Sequence, residues 1–302
     1  MSFFSIIIPA YNRAHLINQP LESILKQDYD DFEIVIVDDG STDHTRETIK
    51  AFQEKDARIK YLYQQNAERG AARNSGFKIS AGKYVIFFDS DDIMCPNHLS
   101  VLKSVIDKNP GIRFLTTKFR LTEGDKTIPL HIDTFKEGWH EGKIYLTGSH
   151  TGVMICISKE NPGLVLFEEN RKYATLEDWM FLTRNILRDK IYIIDQYTVI
   201  VNNHDQRSSR IDNQAIIYKR LLARDWIKDH LQLTPEESSL LDGYSYRFCA
   251  IHAYLDDSRW DALRFAAKAM RETGADKGLF ILLVKILIGR KGIQILKSKR
   301  GE

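Results

Sequence analysis

Cysteine is scarce. Cys95, Cys156 and Cys249 stand far apart among 302 residues, with no C-x-x-C pair and no even-numbered framework. That argues against a disulfide scaffold and predicts packed thiols in a reducing cytosol. A charge excess is lacking too: the net charge is +2, so nothing global points to nucleic acid or an acidic partner. No run approaches the ~18 apolar residues of a spanning helix. The first residues, MSFFSIIIP, carry no basic region and meet proline before a signal-peptide core develops. The expectation is a cytoplasmic protein, neither exported nor threaded through a membrane. Glycine is missing from Pro9-Ala-Tyr-Asn-Arg13, the loop after the first apolar run. That removes the G-x-G-x-x-G of a nicotinamide dehydrogenase and weighs against a nucleotidyltransferase.

What remains is an ordinary globular composition, 43% hydrophobic and 28% charged, long enough for one large domain or two. Ser5-Ile-Ile-Ile8 reads as a buried strand stopped by Pro9, which cannot donate to a sheet ladder. Leu16, Leu21, Ile24 and Leu25 then recur at helical spacing. Phe32–Val37 is a second strand, running into Asp38-Asp-Gly-Ser-Thr-Asp43, where Ser41, Thr42 and Asp43 are good N-caps for the next helix. Ile59–Tyr63 is a third strand. Arg69-Gly-Ala-Ala-Arg-Asn-Ser-Gly76 opens a helix whose small residues allow close backbone approach, and Tyr84–Phe88 is a fourth strand. This fourfold β-α alternation predicts a parallel sheet with right-handed crossovers. A helix from Pro96 to Ile106 follows, then strands at 112–121 and 152–157, the second antiparallel in a mixed sheet. A helix starting at Glu177 and a strand at Ile191–Ile194 lead to an irregular polar loop from Val199 to Arg210. Beyond about 211 the pattern is helical.

The fourth strand runs straight into Asp89, Asp91 and Asp92. Carboxylates this close repel one another and need a counter-charge. At the carboxyl end of a parallel strand they would sit in the crevice where open α/β sheets bind ligands. Two acids spaced by one residue can present oxygens to one hard cation, Mg2+ or Mn2+, with a diphosphate completing the shell. A lone D-x-D is explained as well by a solvated turn. Acids closing both the second and the fourth strand, at the same end of the sheet, are not.

Four segments together resemble the inverting glycosyltransferases of family 2, which have the GT-A fold: Ser5–Arg13, Ile36–Asp43, Asn66–Gly76 and Phe88–Asp92. The likeness continues more weakly through Glu177-Asp178-Trp179 and His204 to Ser209. It implies a Rossmann-like, mainly parallel sheet flanked by helices, with a GT-A nucleotide-sugar-binding catalytic domain over 1–212 and a helical C-terminal region over 213–302. By that resemblance Pro9, Ala10 and Tyr11 lie against a uracil or similar base. Asp39 accepts from the base N–H, a fitting role for an acceptor-only carboxylate. Arg73 lines the nucleotide and diphosphate region. Asp89 holds the ribose or the metal, Asp91 the metal between the phosphates, and Asp92 orients its neighbours. His204 completes the metal shell, and Arg207 and Ser208 grip the diphosphate. A bound cation stabilises the leaving nucleoside diphosphate, so no protein general acid is needed. One base must take the proton from the acceptor hydroxyl. That is Asp178, with Glu177 as orienter or alternative. An acid pair in a first helical turn also simply complements the helix dipole. Trp139, His140 and His150 are open to an acceptor wall or to plain packing.

The implied reaction moves a sugar from a nucleotide-sugar donor, a UDP-sugar first, to a hydroxyl of a glycan or lipid-linked acceptor in cell-surface polysaccharide synthesis. A non-catalytic nucleotide-sugar-binding protein on the same fold is the alternative, with the nucleotidyltransferase behind it. From Ala275 onward seven Lys or Arg face only Asp276 and Glu302, a net of +5, beside the apolar run Gly278–Ile288. Such a stretch either docks on the inner face of the cell membrane as a peripheral helix or packs within the fold or a homodimer.

Overall fold

The structure, a computed structural model, describes residues 2–124, 126–152, 154–202 and 212–298. The chain divides into a larger unit, residues 1–145 and 149–207, and a smaller one, 146–148 and 208–302.

In the larger unit β1 (Phe4–Ala10), α1 (Asn18–Leu25), β2 (Phe32–Asp38), α2 (Thr45–Gln53), β3 (Ile59–Tyr63), α3 (Glu68–Ile79) and β4 (Tyr84–Phe87) alternate in chain order. Then come β5 (Ile93–Met94), α4 (His98–Lys108), β6 (Phe114–Glu123), β7 (Lys126–Ile128), β8 (Gly138–Glu141), β9 (Cys156–Ser158), α5 (Glu177–Ile186) and β10 (Lys190–Asn202). The sheet runs β3-β2-β1-β4-β9-β6-β10-β5, with β7 on β6 and β8 on β10. β1, β2, β3 and β4 pair in parallel, as do β6 and β10. β9 lies antiparallel to both β4 and β6, so the two parallel groups point the same way and share one carboxyl edge. This is the GT-A arrangement, a mainly parallel sheet between helices.

The uninterrupted apolar strands are explained by burial on both faces. Ile6, Ile8, Ile34, Ile36 and Ile86 pack with Leu21, Ile24, Ile49 and Leu99 on one face. Ile7, Val35, Val37, Val85 and Phe87 pack with Ala72, Phe181 and Leu182 on the other. α3 approaches the sheet closely because Gly76 has no side chain: a Cβ there would meet Ile7 Cγ2 at 2.4 Å.

Three expectations are corrected. β1 does not stop at Pro9 but runs to Ala10. Ile7 O accepts from Phe88 N and Ala10 O from Asp39 N, so alternation turns the proline nitrogen toward β4, which has already ended. Its missing N–H therefore costs no ladder bond. Ser41 and Thr42 do not cap α2, which begins after His44, and tie loops together instead; Asp43 alone serves the helix start, its Oδ1 accepting from Thr45 N (3.0 Å). β10 continues through the expected loop as far as Asn202, absorbing exposed Asp195 and Gln196 with register shifts between Ile194, Tyr197 and Val199.

The smaller unit contains α6 (Asn213–His230), α7 (Pro235–Leu255), α8 (Arg259–Thr273) and α9 (Lys277–Ser298). Its core is formed by Ile217, Cys249, Ala253, Phe265, Ala266, Leu279, Leu282 and Ile286. Among the described residues no helix is long and apolar enough to cross a membrane.

Candidate active site

The carboxyl edge gathers the loops after β1, β2 and β4. Asn12 N donates to Ser41 Oγ (2.9 Å), Thr42 N to Asn12 Oδ1 (2.8 Å) and Ala14 N to Asp43 Oδ2 (3.2 Å). Arg13 Nε reaches Ser90 Oγ (3.2 Å), joining the first loop to the acidic one. Asn12 bends the chain at φ +53°, a left-handed conformation asparagine tolerates.

The two aspartates closing β2 divide their work. Asp38 is committed to the scaffold: Oδ1 accepts from Ser41 N (2.8 Å) and Oδ2 from the Tyr61 hydroxyl (2.7 Å). Asp39 Oδ1 accepts from Gln64 Nε2 (2.6 Å) and Ala67 N (2.9 Å). Burial raises the Asp39 carboxyl above its ordinary value, against the pull of those hydrogen bonds. The Asp39 amide donates to the Ala10 carbonyl (2.8 Å), which sets Asp39 beside Pro9, Ala10 and Tyr11. Pro9 and Ala10 are buried; only Tyr11 offers its ring, 47% exposed.

Carboxylate oxygens of Asp89, Asp91 and Asp92 all lie within 4.8 Å of one another. Asp89 and Asp91 are half-exposed and Asp92 is buried behind them. An all-oxygen, strongly anionic donor set of this kind fits a hard cation such as Mg2+ or Mn2+.

Arg73 links this cluster to α5. It is 1% exposed; Nη2 donates to Asp89 Oδ1 (2.8 Å) and Nη1 to Glu177 Oε1 (3.0 Å). Read from sequence as lining the nucleotide, it sits beneath the surface and holds two acids in place. Arg69, one turn earlier on α3 and half-exposed, pairs through Nε with the same Glu177 oxygen (3.3 Å). Sequence reading passed over Arg69; its i,i+4 spacing from Arg73 puts both on one face of α3 and was the available signal.

Burial alone would raise the Glu177 pKa, but the Arg69 and Arg73 guanidiniums outweigh it and hold the carboxyl below its ordinary value. Its neighbour goes the other way. Burial first, then the adjacent Glu177 charge, pushes Asp178 up to about 6. Asp178 Oδ1 accepts from Trp179 N (2.7 Å), and Trp179, fully buried, donates its indole N–H to the Tyr145 carbonyl (2.6 Å). Thr175, just before this helix, is held at φ +83°, an outlier for a β-branched residue. Such strain persists where the surroundings over-determine a conformation.

The structure thus brings together Tyr11, Asp39, Asp89, Asp91 and Asp92 along one edge, with Asp178 joined to them through Glu177 and Arg73. His204, Arg207 and Ser208 lie outside the described residues. Trp139 and His140 flank the amino-terminal half of β10, across from Tyr192 and Ile191. Trp139 borders a groove with Asn109–Arg113, toward the other edge of the sheet.

Residues 5–157 match the family model described as glycosyl transferase family 2. The glycosyltransferase GlyG of Streptococcus pneumoniae is 34% identical over 233 residues, 76% of this chain and 69% of GlyG. The chain spans only 23% to 27% of the length of three uncharacterised Rickettsia glycosyltransferases that are 34% to 36% identical over 166 residues. Staphylococcus aureus TarS 1-349, solved with UDP-GlcNAc, superposes with a TM-score of 0.68 at 20% identity, covering 100% of this chain and 93% of that one. A Pyrobaculum calidifontis mannosyltransferase, solved with GDP-Man and Mn2+, gives 0.62 at 14% identity, covering 97% and 82%.

Proposed function

The chain belongs to glycosyltransferase family 2, and on that premise we propose that it transfers a sugar from a UDP-sugar to a hydroxyl of a glycan or lipid-linked acceptor, inverting the anomeric carbon. One observation carries the reading: buried Arg73 pairs both with Asp89 of the three clustered carboxylates and with Glu177, the chain neighbour of half-buried Asp178, whose pKa is raised.

Tyr11 stacks on the base and Asp39 accepts from its imide N–H, within the loops laced together by Asn12 and Ser41. Asp89 and Asp91 hold the cation, with Asp92 behind them. A bound Mn2+ or Mg2+ supplies charge neutralisation to the departing diphosphate. Arg69, beside the cluster, adds positive charge that favours the same diphosphate. Arg73 fixes Asp89 and Glu177, and through Glu177 the position of α5. Asp178 takes the proton from the acceptor hydroxyl as it attacks the face of the sugar opposite the diphosphate. A base with a pKa near 6 is largely ionised at neutral pH yet still accepts a proton. The binding of UDP-GlcNAc by TarS supports UDP as the nucleotide. We place the enzyme in the cytoplasm, in keeping with its three free thiols.

Asp178→Asn is the direct test, with donor turnover and UDP affinity measured side by side. The expected result is turnover lowered by roughly 10²–10⁴-fold with UDP affinity retained. Unchanged turnover would remove Asp178 as the base. Absence of turnover in the wild type with retained UDP binding would favour a non-catalytic binder.

A further inference from the structure

The helical unit has a face that its own packing leaves bare. α9 starts behind Asp276, whose carboxylate accepts from the Leu279 amide (2.7 Å) and from Arg247 Nη1 (2.6 Å). From Lys277 to Ile288 the helix is apolar on nearly every side. At roughly 100° per residue, Leu279, Leu282 and Ile286 fall on one face, and they are buried in the core of the unit. The opposite face carries Phe280, Ile281, Val284, Leu287 and Ile288, which are 65%, 43%, 38%, 55% and 42% exposed. Gly289, at φ +78°, then breaks the helix. Arg259 donates to the Leu287 carbonyl (2.8 Å), and the next residue, Trp260, is 83% exposed.

Soluble proteins rarely leave a contiguous apolar patch of more than a few hundred Å2 facing water. A helix apolar all round belongs in a core or against lipid. The charges decide between occupants. Lys277 falls within the bare face at its amino end and Lys285 on its edge, both exposed. Residues 277–300 contain seven Lys or Arg and no Asp or Glu. A second copy docking about a two-fold axis would set this basic strip against itself, which is unfavourable. An anionic lipid surface accepts both features together. The acyl boundary takes the apolar side chains, the headgroups take the lysines, and an exposed tryptophan suits the interfacial level.

We propose that the bare face of α9, centred on Phe280, Val284 and Leu287 and bordered by Lys277 and Lys285, docks this protein on an anionic membrane surface. The stretch is too short to span a bilayer and lies along its surface. The proposal rests on the helical unit alone and stands apart from the sugar-transfer reading.

Its test is sedimentation of the full chain with phosphatidylcholine vesicles, with and without phosphatidylglycerol. The wild type should pellet with the anionic vesicles at least about tenfold more than with neutral ones, and less so at high salt. Phe280→Glu combined with Leu287→Glu should abolish pelleting while leaving the melting curve and UDP affinity unchanged. Lys277→Gln and Lys285→Gln should each weaken it by about fivefold. Two results overturn the proposal. One is a wild type that does not distinguish anionic from neutral vesicles. The other is a dimer in sedimentation velocity that the double glutamate variant dissolves, with no vesicle binding, which assigns the face to a second copy. UDP affinity, read in the same samples, reports on the active-site reading separately.

Discussion

Glu177 and Asp178 are neighbours in sequence whose surroundings push them apart. Glu177 faces two guanidiniums and stays ionised, while Asp178 is raised to about 6 by burial and by the Glu177 charge. Two acids with separated pKa values are a familiar way of dividing a structural from a chemical role. The sign of the pH dependence follows. A base must be unprotonated, so kcat/KM should rise with pH through about 6 and level off above it, reporting the free enzyme. Arg69 lowers the Asp178 pKa, so Arg69→Gln should move that rise to higher pH. A pH–rate profile of both proteins checks this; a rise unmoved by the substitution would detach Arg69 from Asp178. Arg73 lies deeper. Arg73→Gln leaves Glu177 buried without one of its two cations, and breaking a buried ion pair from one side costs about 3–5 kcal/mol. Urea denaturation should show a loss of that order.

Among the elements, α3 does most to position the site, since it carries both arginines and needs Gly76 to reach the sheet. Gly76→Ala places a methyl 2.4 Å from Ile7 Cγ2, so α3 must lift. Overpacking of this kind costs about 1–3 kcal/mol, and here it should also lower UDP affinity, because Arg73 moves with the helix. A variant as stable and as tight-binding as the wild type would contradict the close approach. The same element shows what was legible in the sequence. Its small residues announced proximity, just as the apolar runs of β1, β2 and β4 announced a parallel sheet buried on both faces. Acids after β2 and β4 announced an acidic carboxyl edge. The contact of Arg73 with Glu177 was hidden, because 104 residues separate partners that only the fold brings together. β5, β7 and β8 are too short to leave a pattern. Ser41 has cap chemistry but spends it on the neighbouring loop, and Asp43 divides its carboxylate between that loop and the start of α2, a choice set by tertiary context.

At the scale of the whole molecule, a sheet unit of the GT-A type accompanies a helical unit with a bare apolar face, and the proposals drawn from each are testable separately. The central claim is that the acids at the carboxyl edge hold a nucleoside diphosphate through a divalent cation. Calorimetric titration of UDP with and without Mn2+, into the wild type and Asp91→Ala, tests it most directly. Removing one carboxylate from the cation's shell should abolish the metal-dependent part of the affinity. The account predicts UDP binding that is strengthened by Mn2+ in the wild type and indifferent to it in Asp91→Ala. UDP binding equally tight with and without Mn2+, or a metal effect that survives in Asp91→Ala, would contradict it.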